Sequence, residues 1–352
     1  MEFFNQLSPG WQLTIVAAIK VVGVMAVLLP MIAYSVMAER RVSALIQDRV
    51  GPNRVGPFGL LQPLADGLKS FLKEDYTPAH VHKFYYTLAP AIAMVPAFLT
   101  FAVIPFGSTL GGSEKMVIAD LNVGILYTFG IVSLSVYGIV LAGYASNSKY
   151  PFLGGIRSSA QMISYEIAMG MAVIPVFMFV GSLNLSDIIQ AQSGSLFDWM
   201  AFKSPMTFLS FFIFLVAVFA ETNRHPFDMP ECETELVAGY HSEYSSMRFA
   251  LFFLGEYAAM IAGSALIVTV FFGGWTLPIA GLNLPAHSFL SGLLHIGIFI
   301  GKIAFFMLVM IWVRWMLPRF RYDQLMDLGW RRFLPLALAN ILATAIWLFA
   351  AN

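Results

Sequence analysis

Cysteine occurs once in 352 residues, and Asp, Glu, Lys and Arg together make up only 11% of the chain. The lone thiol, Cys232, excludes a disulfide within the chain, and the absence of any Cys-x-x-Cys spacing excludes an iron–sulfur cluster held by this chain alone. Of six histidines only His295 falls well inside an apolar run, so a two-histidine haem would lack its second ligand. Neither Gly-x-Gly-x-x-Gly nor a Walker phosphate loop is present, which removes the usual nucleotide sites. Basic and acidic residues balance at 20 each, so nothing draws nucleic acid. Any redox work done here would take its electrons from a partner.

What the chain does have is apolar length. Hydrophobic residues make up 59% of it, far from a soluble composition. Runs able to cross a hydrocarbon core of ~30 Å lie near 11–38, 84–106, 121–145, 159–181, 204–220, 249–273, 288–317 and 333–350. The expected fold is all-α: a single polytopic membrane domain of about eight transmembrane helices. Its loops 39–83, 146–158, 221–248 and 318–332 carry fifteen of the twenty Lys and Arg residues, and Arg314, at the end of span 7, adds a sixteenth to that side. Lys115 and Lys203 are the only ones assigned to the opposite face. Positive loops stay cytoplasmic, so both termini are expected on the periplasmic or intermembrane side.

Against that positive background, residues 221–256 are an anomaly. Glu221, Asp228, Glu231, Glu233, Glu235, Glu243 and Glu256 crowd there with only Arg224 and Arg248 to balance them. Crowded carboxylates repel, so some are expected to hold protons near neutral pH. Phe227, Met229, Leu236, Val237, Tyr240 and Tyr244 are interleaved with them, which argues for burial over a solvated acidic loop. His225 and His241 lie in the same stretch, but without recognisable metal-ligand spacing, and no metal is expected.

Four ionisable residues interrupt the spans themselves. Glu166 and Glu256 lie at similar depths in spans 4 and 6, Lys302 is well inside span 7, and Lys20 interrupts span 1. A charge at mid-bilayer costs ~2.5–3.5 kcal/mol on insertion scales. A neutral Gln would bridge helices at less cost, so proton handling is the expected role of the two glutamates, with Lys302 as their charge partner. Snorkelling explains Lys20 as well as any function does.

The first cytoplasmic loop reads Gln-Asp-Arg-Val-Gly-Pro-Asn-Arg-Val-Gly-Pro before Leu61, Leu64, Leu68, Phe71 and Leu72 fall at helical spacing. The turn residues predict irregular backbone followed by an amphipathic interfacial helix. That helix either floats on the headgroups or walls an opening for a lipid-soluble molecule such as a quinone.

The motifs Glu-Arg-Arg at 39–41, Gly-Pro-Asn-Arg-Val-Gly-Pro-Phe-Gly-Leu-Leu-Gln-Pro at 51–63, Gln-Met-Ile-Ser-Tyr-Glu at 161–166, Ala-Glu-Thr-Asn-Arg-His-Pro-Phe-Asp at 220–228 and Pro-Arg-Phe-Arg-Tyr-Asp-Gln-Leu-Met at 318–326 resemble the H-subunit family of bacterial NADH:quinone oxidoreductase, respiratory complex I. The resemblance runs through nearly the whole chain. It implies a membrane subunit without redox centres or autonomous activity, lodged between hydrophilic quinone-module subunits and proton-pumping membrane-arm subunits. FMN and iron–sulfur clusters would belong to partners, and quinone would be the substrate. Carried over by position, Glu39, Arg40, Arg49, Asp66 and Phe227 are implied to bind quinone. Glu166, Glu221, Asp228, Glu231, Glu233, Glu235, Glu243, Glu256 and Lys302 are implied to form a proton path. The implied location is the bacterial inner membrane, or the mitochondrial inner membrane for an organellar chain. Ser245-Ser246 departs from the family, where many members carry a pair that includes Gly, and is expected to alter local packing only. A proton-coupled secondary transporter and the related subunit of a membrane-bound hydrogenase-type complex are the alternatives. No visible internal repeat supports the transporter.

Overall fold

The structure is a computed structural model describing residues 8–110, 115–279, 282–286 and 288–351. The long helices are α1 (Pro9–Ile46), α3 (Lys83–Thr100), α4 (Gly124–Ala145), α5 (Lys149–Val180), α7 (Pro205–Glu221), α8 (Ser246–Phe271), α9 (Phe289–Met316) and α11 (Leu334–Ala351). Shorter ones are α2 (Gln62–Leu72), α6 (Leu185–Gln190) and α10 (Tyr322–Asp327), the last joined to α11 by a π turn at Leu328–Phe333. Among the described residues no β-strand forms, only an isolated bridge between Thr109 and Lys115.

Each expected span coincides with a helix. Among the described residues six stretches are long and apolar enough to cross a membrane, with α10, the π turn and α11 counting as one. The other two helices, α3 and α7, have 18 and 17 residues. Ends differ from expectation where local chemistry overrides hydropathy. α5 begins at Lys149, not near 159, because Ser148 is extended and Pro151 sits in the first turn, where its missing N–H costs nothing. Most of the expected 146–158 loop is therefore helical. α3 stops at Thr100, ahead of Pro105 and Gly107. α1 runs to Ile46, and at 38 residues it spans about 57 Å. That exceeds the hydrocarbon core, so Glu39, Arg40 and Arg41 ride on a rigid helical extension.

α8 is the central helix: 67% of its most apolar stretch is buried inside the protein, against 11% for α1. Tyr165, Ile213, Phe214, Ala258, Ile267 and Phe271 form the core there with no exposed surface. Two buried polar side chains there are tied down as burial demands. The Gln161 amide donates to the Ala220 and Phe227 carbonyls, both at 2.8 Å, and the Tyr165 hydroxyl donates to the Leu325 carbonyl at 2.9 Å. The Gln161 bonds hold the end of α7 and the chain after it against α5.

α2 has no buried residue. Leu64, Leu68, Phe71 and Leu72 are each more than half exposed, as an interfacial helix requires. Small residues allow the acidic segment to sit on α5. A Cβ at Gly154 would come within 2.9 Å of both Pro230 O and Tyr240 N, and one at Gly239, where φ is +58°, would come closer still to Pro230 O.

Candidate functional site

Glu39, from α1, is buried, and three groups from distant parts of the chain converge on it. Arg224 donates from Nη1 to Glu39 Oε1 at 3.1 Å, Arg314 Nη1 donates to the same oxygen, and the Tyr257 hydroxyl donates to Oε2 at 2.7 Å. Arg224 also turns its Nε to Glu256 Oε1 at 2.7 Å, and its guanidinium lies 4.5 Å from the centre of the Tyr257 ring. One guanidinium thus joins the carboxylate of α1 to the carboxylate of α8. Burial alone would weaken the hold of Arg224 on its proton, but Glu256, Tyr257 and Glu39 more than reverse this, and its pKa moves upward.

Glu39 and Tyr257 also line an opening of about 280 Å³, with Val36, Arg40, Ser43, Arg49, Phe253, Arg314 and Trp315. α2 stands beside it, tied to α1 by the Arg40–Asp66 ion pair at 2.6 Å. Glu39, Arg40 and Arg49 therefore gather at one opening, with Asp66 one contact away. Phe227 does not join them. It stacks on Phe320 with ring centres 5.5 Å apart and packs against Tyr165 at 5.8 Å. Its part is to anchor the acidic segment in the core.

On the other side of Arg224, Glu256 lines a cavity of about 50 Å³ with Glu221, Glu231, Ser135, Thr222, Asn223 and Tyr240. Glu221 also lines a second cavity of similar size with Thr100, Phe129 and Ser135. Both carboxylate oxygens of Glu221 are buried without a hydrogen-bond partner. Glu166, one helix further, accepts from Ser133 Oγ, and its charge acts on Glu221. Four carboxylates thus run from α8 through the acidic segment and the end of α7 to α5.

In the connecting segment, burial pushes the Glu231 carboxyl well above its ordinary range, with Glu256 and Asp228 adding repulsion. Burial also raises Asp228, only partly offset by its 2.6 Å ion pair with Arg319. Burial lowers His241 to about 4, so at neutral pH it is an uncharged ring 3.7 Å from Glu231.

The other acids stand apart. Glu235 pairs with Arg157 at 2.6 Å on a half-exposed surface, and Glu243 lies 3.9 Å from His80. The Glu233 side chain lies outside the described residues. Lys302 differs most from expectation. Its ammonium donates to the carbonyls of Phe272, Gly274 and Thr276 at 2.6–2.9 Å and lies 4.4 Å from the Trp199 ring. It caps the C-terminus of α8, where a cation suits the helix dipole, and does not neutralise Glu166 or Glu256.

Three features of the cluster escaped the sequence reading: Tyr257, Arg314 and the bridging role of Arg224. Arg224 had a signal, being one of two bases amid seven acids. Tyr257 is an ordinary aromatic in an apolar run, and nothing local marks it.

The family model described as NADH dehydrogenase matches residues 19–345. The chain is 48% identical over 348 residues to the second of the NADH-quinone oxidoreductase H subunits of Koribacter versatilis, covering 95% of this chain and 97% of that protein. It is 52% identical over 328 residues to the first of those of Geobacter metallireducens, covering 92% and 94%. It is 51% identical over 325 residues to the H subunit of Salinibacter ruber, covering 90% and 92%. By length and composition, the described helices are those of a polytopic membrane protein, and the chain belongs to the NADH dehydrogenase family, among the H subunits of NADH-quinone oxidoreductase.

Proposed function

We propose that this subunit forms part of the quinone chamber of a proton-translocating oxidoreductase and passes the electrostatic effect of quinone reduction to a chain of carboxylates. The observation that carries this reading is Arg224. Its two contacts connect Glu39, at the opening of about 280 Å³, to Glu256, at the first of the acid-lined cavities. Four groups, Glu39, Glu256, Arg224 and Arg314, balance to zero charge when all are ionised. A negative charge arriving in the opening upsets that balance and favours proton uptake by a nearby acid.

The size of the effect is adequate for sensing. One unit of charge ~10 Å away shifts a carboxylate by about 1.7 kcal/mol at an effective dielectric of 20, a little over one pKa unit. Moving a charge through 100 mV costs ~2.3 kcal/mol, so one such event cannot drive several protons. Pumping subunits of the membrane arm must do most of that work. Quinone would approach between α1, α2 and α8, receive electrons from a cluster in a hydrophilic partner, and leave protonation to propagate through Glu256, Glu231, Glu221 and Glu166. Eight spans in a bacterial inner membrane, with both termini outside, complete the arrangement.

The test is Ala65→Trp on α2, made in the whole complex. Quinone reduction is expected to fall severalfold while NADH oxidation by a water-soluble acceptor stays normal. Unchanged quinone reduction would remove α2 from the route.

A further inference from the structure

Ser246, the first residue of α8, has φ +55°, in the left-handed region that glycine occupies without cost. A serine held there needs something to hold it. Its hydroxyl points at the C-terminal end of α2, 3.0 Å from Ser70 O and 2.9 Å from Lys73 O. A hydroxyl has one proton, so the two contacts are one donation shared between two carbonyls. Ser70 O lies in the last turn of α2, where carbonyls lack intrahelical partners. Two residues on, Arg248 donates to Thr77 Oγ1 at 2.7 Å and pairs with Asp75 at 3.3 Å.

α2 buries no residue of its own, so its place depends on its tethers. The Arg40–Asp66 pair fixes its first half to α1. Ser246 fixes its end to α8, and the opening lined by Glu39 and Tyr257 lies between those two helices. We propose that Ser246 is a positioning residue that latches α2 to α8 and so sets the clearance for the hydrophobic tail of the quinone. This rests on the quinone reading above, and the latch has a readout that does not.

Ser246→Gly is the informative change, because it relieves the left-handed backbone while removing the hydroxyl, leaving the fold intact. In the whole complex, amide exchange across residues 70–76 is expected to accelerate about fivefold, the factor corresponding to one ordinary hydrogen bond. KM for a long-tailed quinone should change by a similar factor, with kcat and the KM for a short-tailed quinone analogue unchanged. Unaltered exchange at 70–76 would overturn the latch itself. Faster exchange with an unaltered long-tail to short-tail KM ratio would overturn its role in admitting the tail, while leaving the quinone reading standing.

Discussion

Arg224 sits 3.1 Å from Glu39 through one nitrogen and 2.7 Å from Glu256 through another, with both carboxylates and the guanidinium largely withdrawn from water. Glu39 lies 185 residues away in sequence. A planar guanidinium can serve two carboxylates at a fixed angle, whereas an ammonium is a point charge with a different reach.

Arg224→Lys is therefore not conservative. The variant keeps the charge and loses one of the two contacts. Quinone reductase activity should drop by about tenfold, the order expected for one buried charged contact. NADH oxidation by ferricyanide, which bypasses the quinone, should be unchanged. Wild-type quinone reduction in Arg224→Lys would show that simple charge balance suffices.

The acidic segment should carry a pH signature of its own. Glu231 has its carboxyl pKa raised by burial and by Glu256 and Asp228, so the folded protein binds a proton there that the unfolded chain has released. Stability from this group is present below its ordinary value near 4.5 and is lost as pH rises toward the raised folded value. Glu231→Gln does not titrate, so its melting temperature should fall less than wild type as pH rises above the ordinary carboxylate range. His241 acts at the other end. Lowered from 6.5 to about 4 by burial, it contributes stability above 6.5 that is lost as pH falls toward 4. Parallel melting curves for wild type and Glu231→Gln would contradict the burial of this carboxyl.

Gly154 tests whether the acidic segment must lie against α5. Any Cβ there meets Pro230 O and Tyr240 N at 2.9 Å, both backbone atoms with no rotamer to yield. Gly154→Val should displace the 230–240 segment and cost about 1–3 kcal/mol, read as a lower melting temperature. If the carboxylate chain carries the coupling, proton translocation should fall further than stability alone explains. Full pumping with a displaced segment would show that the chain tolerates a gap.

How much of this was legible in the sequence depends on the range of each interaction. The helices and the amphipathic α2 follow from residue spacing within one element, and they emerge as expected. Glu221 and Glu256 stood out because charge is rare in apolar surroundings, whereas Glu39 and Arg40 entered through the family resemblance. What linked them was not visible: Arg224 joins α1 to α8 through contacts set by tertiary packing, and Tyr257 looks like any span aromatic. Lys302 was misjudged for the same reason. A buried cation signals that a partner exists, but carbonyls at a helix end satisfy it as well as a carboxylate does, and sequence does not distinguish the two. Phe227 sits close in the chain to Arg224, yet Phe320, 93 positions later, draws its ring into the core.

Lys302 gives the last prediction, because its two roles separate cleanly. As a cap it holds three carbonyls beyond the end of α8, and each buried carbonyl left without a partner costs about 1–3 kcal/mol. Lys302→Met keeps much of the volume and removes all three donations, so the melting temperature of the complex should fall by several degrees. As a proton-path residue it would instead govern the number of protons moved per electron. The cap assignment requires that ratio to stay at its wild-type value in complexes that remain assembled, even where total activity is reduced by instability. A reduced proton-to-electron ratio at normal melting temperature would return Lys302 to the proton path and leave the α8 terminus held by the Trp199–Phe272 ring contact and the Gln192–Gly273 hydrogen bond around it.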